Sequence, residues 1–117
     1  MAWAFLEKDV CLLDLAGEDG YDALEEDTFA LQRQEGAWGL VLDVTGAPLE
    51  DRFLLALADC LNDLRNHVAA LAVAGAGTYD QSRINRVLRR RFPTSVPLYF
   101  AAARQEALDW LGQRETL

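Results

Sequence analysis

Residues Trp38 to Gly46, WGLVLDVTG, form an apolar run that stops at Asp43 and Gly46, just before an amphipathic helical pattern beginning near Leu49. A strand apolar on both faces belongs inside a parallel sheet covered on both sides, because each crossover between parallel strands lays a helix against the sheet. Such a sheet offers its chemistry where strands end and helices begin. The same grammar recurs at Ala69 to Gly77 and at Val96 to Ala103, so three strand-to-helix crossovers follow one another.

Upstream, Trp3 to Leu6 and Val10 to Leu15 read as a tight hairpin across Glu7, Lys8 and Asp9, and VCLLDL is apolar enough to be an internal strand. Gly17 to Gly20 breaks the chain. Asp22 to Glu35 then carries acids early and Arg33 late, as a helix dipole favours. Leu49, Phe53, Leu57, Leu61 and Leu64 recur at helical spacing, with Asp59 and Asp63 on the wet side, and Asn66 and His67 end that helix. Val68 to Ala74 is the next strand. AGAGTYD turns into a helix from about Asp80 to Arg91 whose buried edge is Ile84, Val87 and Leu88. Pro93 and Pro97 bracket the connection to VPLYFAAA, and Arg104 to Arg114 is a helix burying Ala107, Leu108 and Leu111. The pattern predicts a single α/β domain over residues 1–117, with a mostly parallel four- to five-stranded sheet, an N-terminal hairpin strand at one edge and about four helices. Val41, Leu71, Val73, Leu98 and Phe100 should be buried in adjacent strands, with Leu57, Leu61 and Leu88 packed over them.

A chain of 117 residues, 51% hydrophobic and 26% charged, has the composition of a protein that buries one core unaided. No segment approaches the ~20 apolar residues of a membrane span, and the first ten residues lack a basic start followed by a long apolar run. The expectation is a cytoplasmic protein without stable membrane insertion. Cys11 and Cys60 lie among apolar neighbours and read as buried free thiols. The net charge of -8 is uneven: residues 1–51 hold thirteen acids against Lys8 and Arg33, a balance of -11, whereas residues 52–117 hold six acids against nine arginines, a balance of +3. An acidic surface repels phosphate backbones, which argues against nucleic acid as a partner.

Asp14, Asp43 and Asp80 fall at or just after strand ends, where carboxylates of a parallel sheet can converge on a magnesium ion. Lys8 and the arginines are poorly placed to complete such an acid pocket, so these acids read as caps and solvated groups, and no metal or cofactor is expected. Gly75, Gly77, Thr78 and Asp80 would form the alternative site, a cradle for a nucleotide, lipid or other anion. Their spacing fits neither phosphate-binding glycine motif, and two glycines in a strand-to-helix turn more commonly solve a backbone problem. His67 has no Ser or Cys at a recognisable motif spacing and follows a helix end, where a cation is favoured. With no nucleophile and base in view, the chain is not expected to be an enzyme. Arg83, Arg86, Arg89, Arg90 and Arg91 crowd residues 80–91 beside a single acid, Asp80. At helical spacing Arg83, Arg86 and Arg90 share a face opposite Ile84 and Leu88. That face is either solvated, answering the acidic Asp22 to Asp27 region, or an electrostatic docking strip.

Leu15 to Gly17 makes an LxG turn, LVLDVTGAPLEDRFLLAL is an apolar strand ending in Asp followed by a small-residue turn and a helix, and VPLYFAAARQEALDWL runs a strand into a helix with an EAL-type step. Across nearly the whole chain these patterns resemble the STAS domain, the fold of bacterial anti-sigma-factor antagonists, and its Sec14-like relatives. The resemblance implies a non-enzymatic regulatory or scaffold module. Its protein partner would dock on the turn and helix start after the central strand, here Asp43, Thr45, Glu50, Asp51, Arg52 and Phe53, extended by Arg83, Arg86 and Arg90; a homodimer stays open. Antagonists of the family are switched by phosphorylation of a Ser or Thr at the start of that helix. Here Asp51 matches the family's Asp, while Arg52 and Phe53 stand in the hydroxyl positions and no Ser or Thr occurs from Gly46 to Gly77. The resemblance therefore implies a member without phosphoregulation, and Thr45, the nearest hydroxyl, reads as a strand-end residue.

Overall fold

Alternation along each strand sends successive side chains to opposite faces, so a strand apolar throughout needs cover on both. The computed structural model, which describes residues 3–7, 9–17, 21–47 and 49–115, supplies it. The strands are β1 (Trp3–Glu7), β2 (Val10–Asp14), β3 (Trp38–Asp43), β4 (Val68–Ala74) and β5 (Leu98–Ala101). The helices are α1 (Tyr21–Gln32), α2 (Asp51–Asp63), α3 (Thr78–Arg91) and α4 (Arg104–Glu115), with a short 3-10 turn at Leu15–Gly17. The five strands form one mixed sheet in the order β1-β2-β3-β4-β5; β1 pairs antiparallel with β2, and the other pairings are parallel.

Because the parallel strands advance in one direction, crossovers of one hand place their helices on one face. That face holds α1, α2 and α3, which pack Leu24, Leu31, Leu57, Leu61, Ile84 and Leu88 over Cys11, Leu13, Leu40, Leu42, Leu71 and Val73. The other face is covered by α4, whose Ala107 and Leu111 lie over Val10, Leu12, Val41, Ala70, Ala72, Ala74 and Ala101. Small residues keep that face flat enough for the helix to sit close. A Cβ added to Gly39 would meet Leu111 Cδ2 at 3.0 Å. On its outer side α4 is held to β5 by Tyr99, which stacks on Trp110 with ring centroids 5.1 Å apart and donates to Glu106 Oε1 at 2.6 Å.

The expected order of elements is found, with several corrections: α1 covers Tyr21–Gln32, not Asp22 to Glu35, and Val87 and Leu108, expected buried, are half-buried. Strand β5 covers only Leu98–Ala101, not Val96 to Ala103, and Leu98 and Phe100 are half-buried rather than buried, because β5 is an edge strand. Helix α3 starts at Thr78, two residues ahead of Asp80. Helix α2 ends at Asp63, and residues 64–67 turn the chain so that Val68 enters β4. Lys8 and most of the Gly17 to Gly20 break lie outside the described residues. Cys11 and Cys60 are free and buried; burial pushes the Cys11 thiol up to about 12 and raises that of Cys60. No described helix is long and apolar enough to cross a membrane.

Candidate functional site

Asp14 and Asp43 are paired in register at the carboxyl ends of β2 and β3, so their side chains leave the sheet side by side. One oxygen of each is used locally: Asp14 Oδ1 accepts from the Ala16 amide at 3.1 Å, and Asp43 Oδ1 from the Thr45 amide at 2.9 Å. The second oxygens converge on Arg104. Its Nη2 donates to Asp14 Oδ2 at 2.9 Å and its Nε to Asp43 Oδ2. Asp43 is only 6% exposed. Burial pushes its carboxyl up, but the hydrogen bonds from Arg104 and Thr45 outweigh that and hold it below the ordinary carboxylate range. Arg104 is correspondingly held protonated, chiefly by its bond to Asp43. It opens α4, where the helix dipole disfavours a cation, so its position depends on the two carboxylates. The cluster borders an open cleft of about 620 Å³ shared with Ala16, Thr45, Ala103 and Gln105.

Of the three strand-end acids, the structure thus brings Asp14 and Asp43 together, on a guanidinium, and places Asp80 elsewhere. Among the described residues no three His, Cys, Asp or Glu are grouped to hold a metal ion. His67 lies at the opposite end of the sheet, with Nδ1 2.8 Å from the Gly36 carbonyl and its ring stacked on Trp38. Its place there is structural.

The turn from β4 into α3 contains the alternative ligand residues. Gly75 has φ +87°, and a Cβ added there would fall 2.0 Å from Thr45 Oγ1, so the turn admits glycine only. Gly77 caps α3 in extended backbone with open space beside it, and Thr78 is exposed. Asp80 stands in the first turn of α3, tied to Arg83 at 3.1 Å, and puts negative charge where an anion would bind.

The turns leaving β3 and β4 are neighbours, joined by the Val44 amide bonding to the Ala74 carbonyl at 2.9 Å, so the starts of α2 and α3 share one surface. Glu50 and Arg52 are exposed on it, and the Asp51 side chain is 92% exposed. Phe53, expected on this surface, is instead buried in the core beneath α2. Arg83, expected on the solvated face, instead bridges the helices, bonding Asp51 Oδ1 at 2.8 Å and Asp80 Oδ1 at 3.1 Å, with its guanidinium over the Tyr79 ring. Arg91 likewise reaches Asp59 on α2 at 2.5 Å. Two of the five arginines therefore answer α2, not the Asp22 to Asp27 region. Arg86, Arg89 and Arg90 are exposed, and none is ion-paired to a described residue.

Tyr79, Leu55 and, in the strand-end cluster, Arg104 were not singled out from the sequence as site residues. Tyr79, under the Arg83 guanidinium, is 76% exposed, and Leu55, one turn beyond Asp51 on α2, is 43% exposed. The signal for Leu55 was an apolar residue on the polar side of a regular stripe, and for Arg104 a cation at the head of a helix. Set beside protein-family models, curated proteins and solved structures, the chain matches none of them.

Proposed function

We propose that the chain is a non-enzymatic, STAS-like interaction module that binds a protein partner through the starts of α2 and α3. One observation carries this reading: two large apolar side chains, Tyr79 and Leu55, stand in solvent on the two helices that a pre-formed charged bridge, Asp51–Arg83–Asp80, joins. Exposed aromatic and aliphatic groups beside ordered charges match the apolar anchors and polar rim of protein interfaces. Arg83 is already neutralised by its two carboxylates, so the polar part of the patch is set before a partner arrives and little ordering is left to do. Arg52 and Glu50, exposed at its edge, supply the charge pattern that selects a partner. The Asp43 carboxylate, bonded to Arg104, also accepts from the Thr45 amide in the turn that leaves β3 for α2.

A photo-crosslinking amino acid placed at Tyr79 or Leu55 should capture one protein species in the native host, and the same probe at Glu26 or Gln113 should not. Changing Leu55 to Ser in the Tyr79 probe should reduce capture at least tenfold while leaving the fold intact. Equal capture from all four positions would remove this surface from consideration.

A further inference from the structure

A second surface lies at the other end of α3. Between α3 and β5 runs an apolar groove of about 570 Å³, lined by Leu88, Phe92, Val96, Leu98 and Phe100, with Arg89 at its rim. Strand β5 is the last of the sheet, so one of its sides has no neighbour. The carbonyls of Pro97 and Ala101 accept from the amides of Leu71 in β4 and of Gly75 just after it. Backbone groups alternate in direction along a strand, so the N–H and C=O groups of Leu98 and Phe100 point away from the sheet. Those same two residues turn half-buried side chains into the groove. Backbone donors and acceptors, apolar sockets and Arg89, a cation not ion-paired to any described residue, thus coincide along one edge.

We infer that this edge receives an extended, acidic segment of a partner protein, added beside β5 as a sixth strand. Alternate side chains of the added strand face α3, where they enter the groove over Leu98 and Phe100 or meet Arg89 and, one helical turn away, Arg86. Charge selects the occupant. A second copy paired across β5 would bring the Arg89 side chains of both copies to one seam, like charge against like. An acidic strand is drawn to arginines that no other described residue neutralises. The edge is only four residues long and follows Pro97, features that discourage unspecific pairing and limit the added strand to a short segment.

The test is selection of displayed nine-residue random peptides on the full chain, followed by synthesis of the enriched sequences. Enriched peptides should carry apolar residues and Asp or Glu together on the alternate positions that face α3, slow hydrogen exchange at the Leu98 and Phe100 amides, and bind at least tenfold more weakly to the R86E/R89E variant. N-methylation of alternate peptide amides should abolish binding, which distinguishes strand addition from charge attraction alone. The proposal is overturned if no peptide is enriched, if enriched peptides lack acids or bind R86E/R89E equally well, if N-methylated peptides bind unchanged, or if the free chain is a dimer whose Leu98 and Phe100 amides are already protected.

Discussion

Replacing Arg104 by Met keeps most of the side-chain stem but removes the guanidinium that two carboxylates share. Breaking a fully buried pair costs about 3–5 kcal/mol, because a charge is left without compensation. Here the Arg104 side chain is 47% exposed and water can follow it, so we expect about 2 kcal/mol at neutral pH, a drop of roughly 6–12 °C in Tm for a chain of this size. The loss falls on Asp43, which is buried and keeps only Thr45 as a partner. In the native protein the Asp43 carboxyl titrates below its unfolded value of about 3.9, so its pairing stabilises above that pH and is lost as pH falls through the folded value. In R104M burial, the largest influence on Asp43, is opposed by Thr45 alone, so the carboxyl titrates higher and acid unfolding begins at higher pH. Urea unfolding at pH 7 and pH 3, with a carbon-13 titration of the Asp43 carboxyl, measures both effects. Adding Asp43→Asn to R104M should recover much of the loss, since no buried charge then remains. If R104M costs less than about 0.5 kcal/mol at pH 7 and Asp43 titrates where it did before, the ion pair does not hold that carboxylate and the reasoning fails.

Leu61→Ala removes a side chain locked between α2 and the sheet and should cost about 2–5 kcal/mol by urea unfolding; a cost under about 1 kcal/mol would contradict the packing. Gly75→Ala should cost about 2 kcal/mol or more, from its positive φ and the collision with Thr45 Oγ1. Combined with Thr45→Ala the cost should shrink without vanishing, because the backbone strain persists. Neither Cys11 nor Cys60 should react with a thiol reagent in the native protein at pH 8, since both thiols are raised by burial and the thiolate is the reactive form. Both should react once denaturant is added, and rapid native labelling would show that the core around them opens.

The fold was legible wherever the periodicity was unambiguous. The stripe Leu49, Phe53, Leu57, Leu61, Leu64 marks the buried side of α2, and the apolar run of β3 marks an interior strand. That stripe already contained the burial of Phe53; its assignment to a docking surface came from a family position, and the core's demand for a large side chain prevailed. Arg83 shows the converse limit. Spacing places it on a polar face, but only the tertiary pairing of α3 with α2 reveals that Asp51, 32 residues earlier, takes up its charge. Arg104, 61 and 90 residues from its carboxylates, was further still from any local pattern. The ends of β5 blurred for a different reason: VPLYFAAA is uniformly apolar, so composition cannot tell where hydrogen bonding to β4 stops.

Each parallel strand lies beside the one that precedes it, so the closures that build the sheet are short and can form in sequence, with little loop entropy lost at any step. Helix α4 is the exception: it crosses to the far face and fastens β5 back toward β2. Until it docks, a strip of Gly39, Ala70, Ala72 and Ala74 faces water and the Asp43 carboxylate waits without its cation. Arg104 is thus a clasp that closes only when the second face is complete. Mechanical pulling, or truncation before Arg104, would open that clasp first and bare a flat alanine-rich surface of the kind on which chains stick to one another.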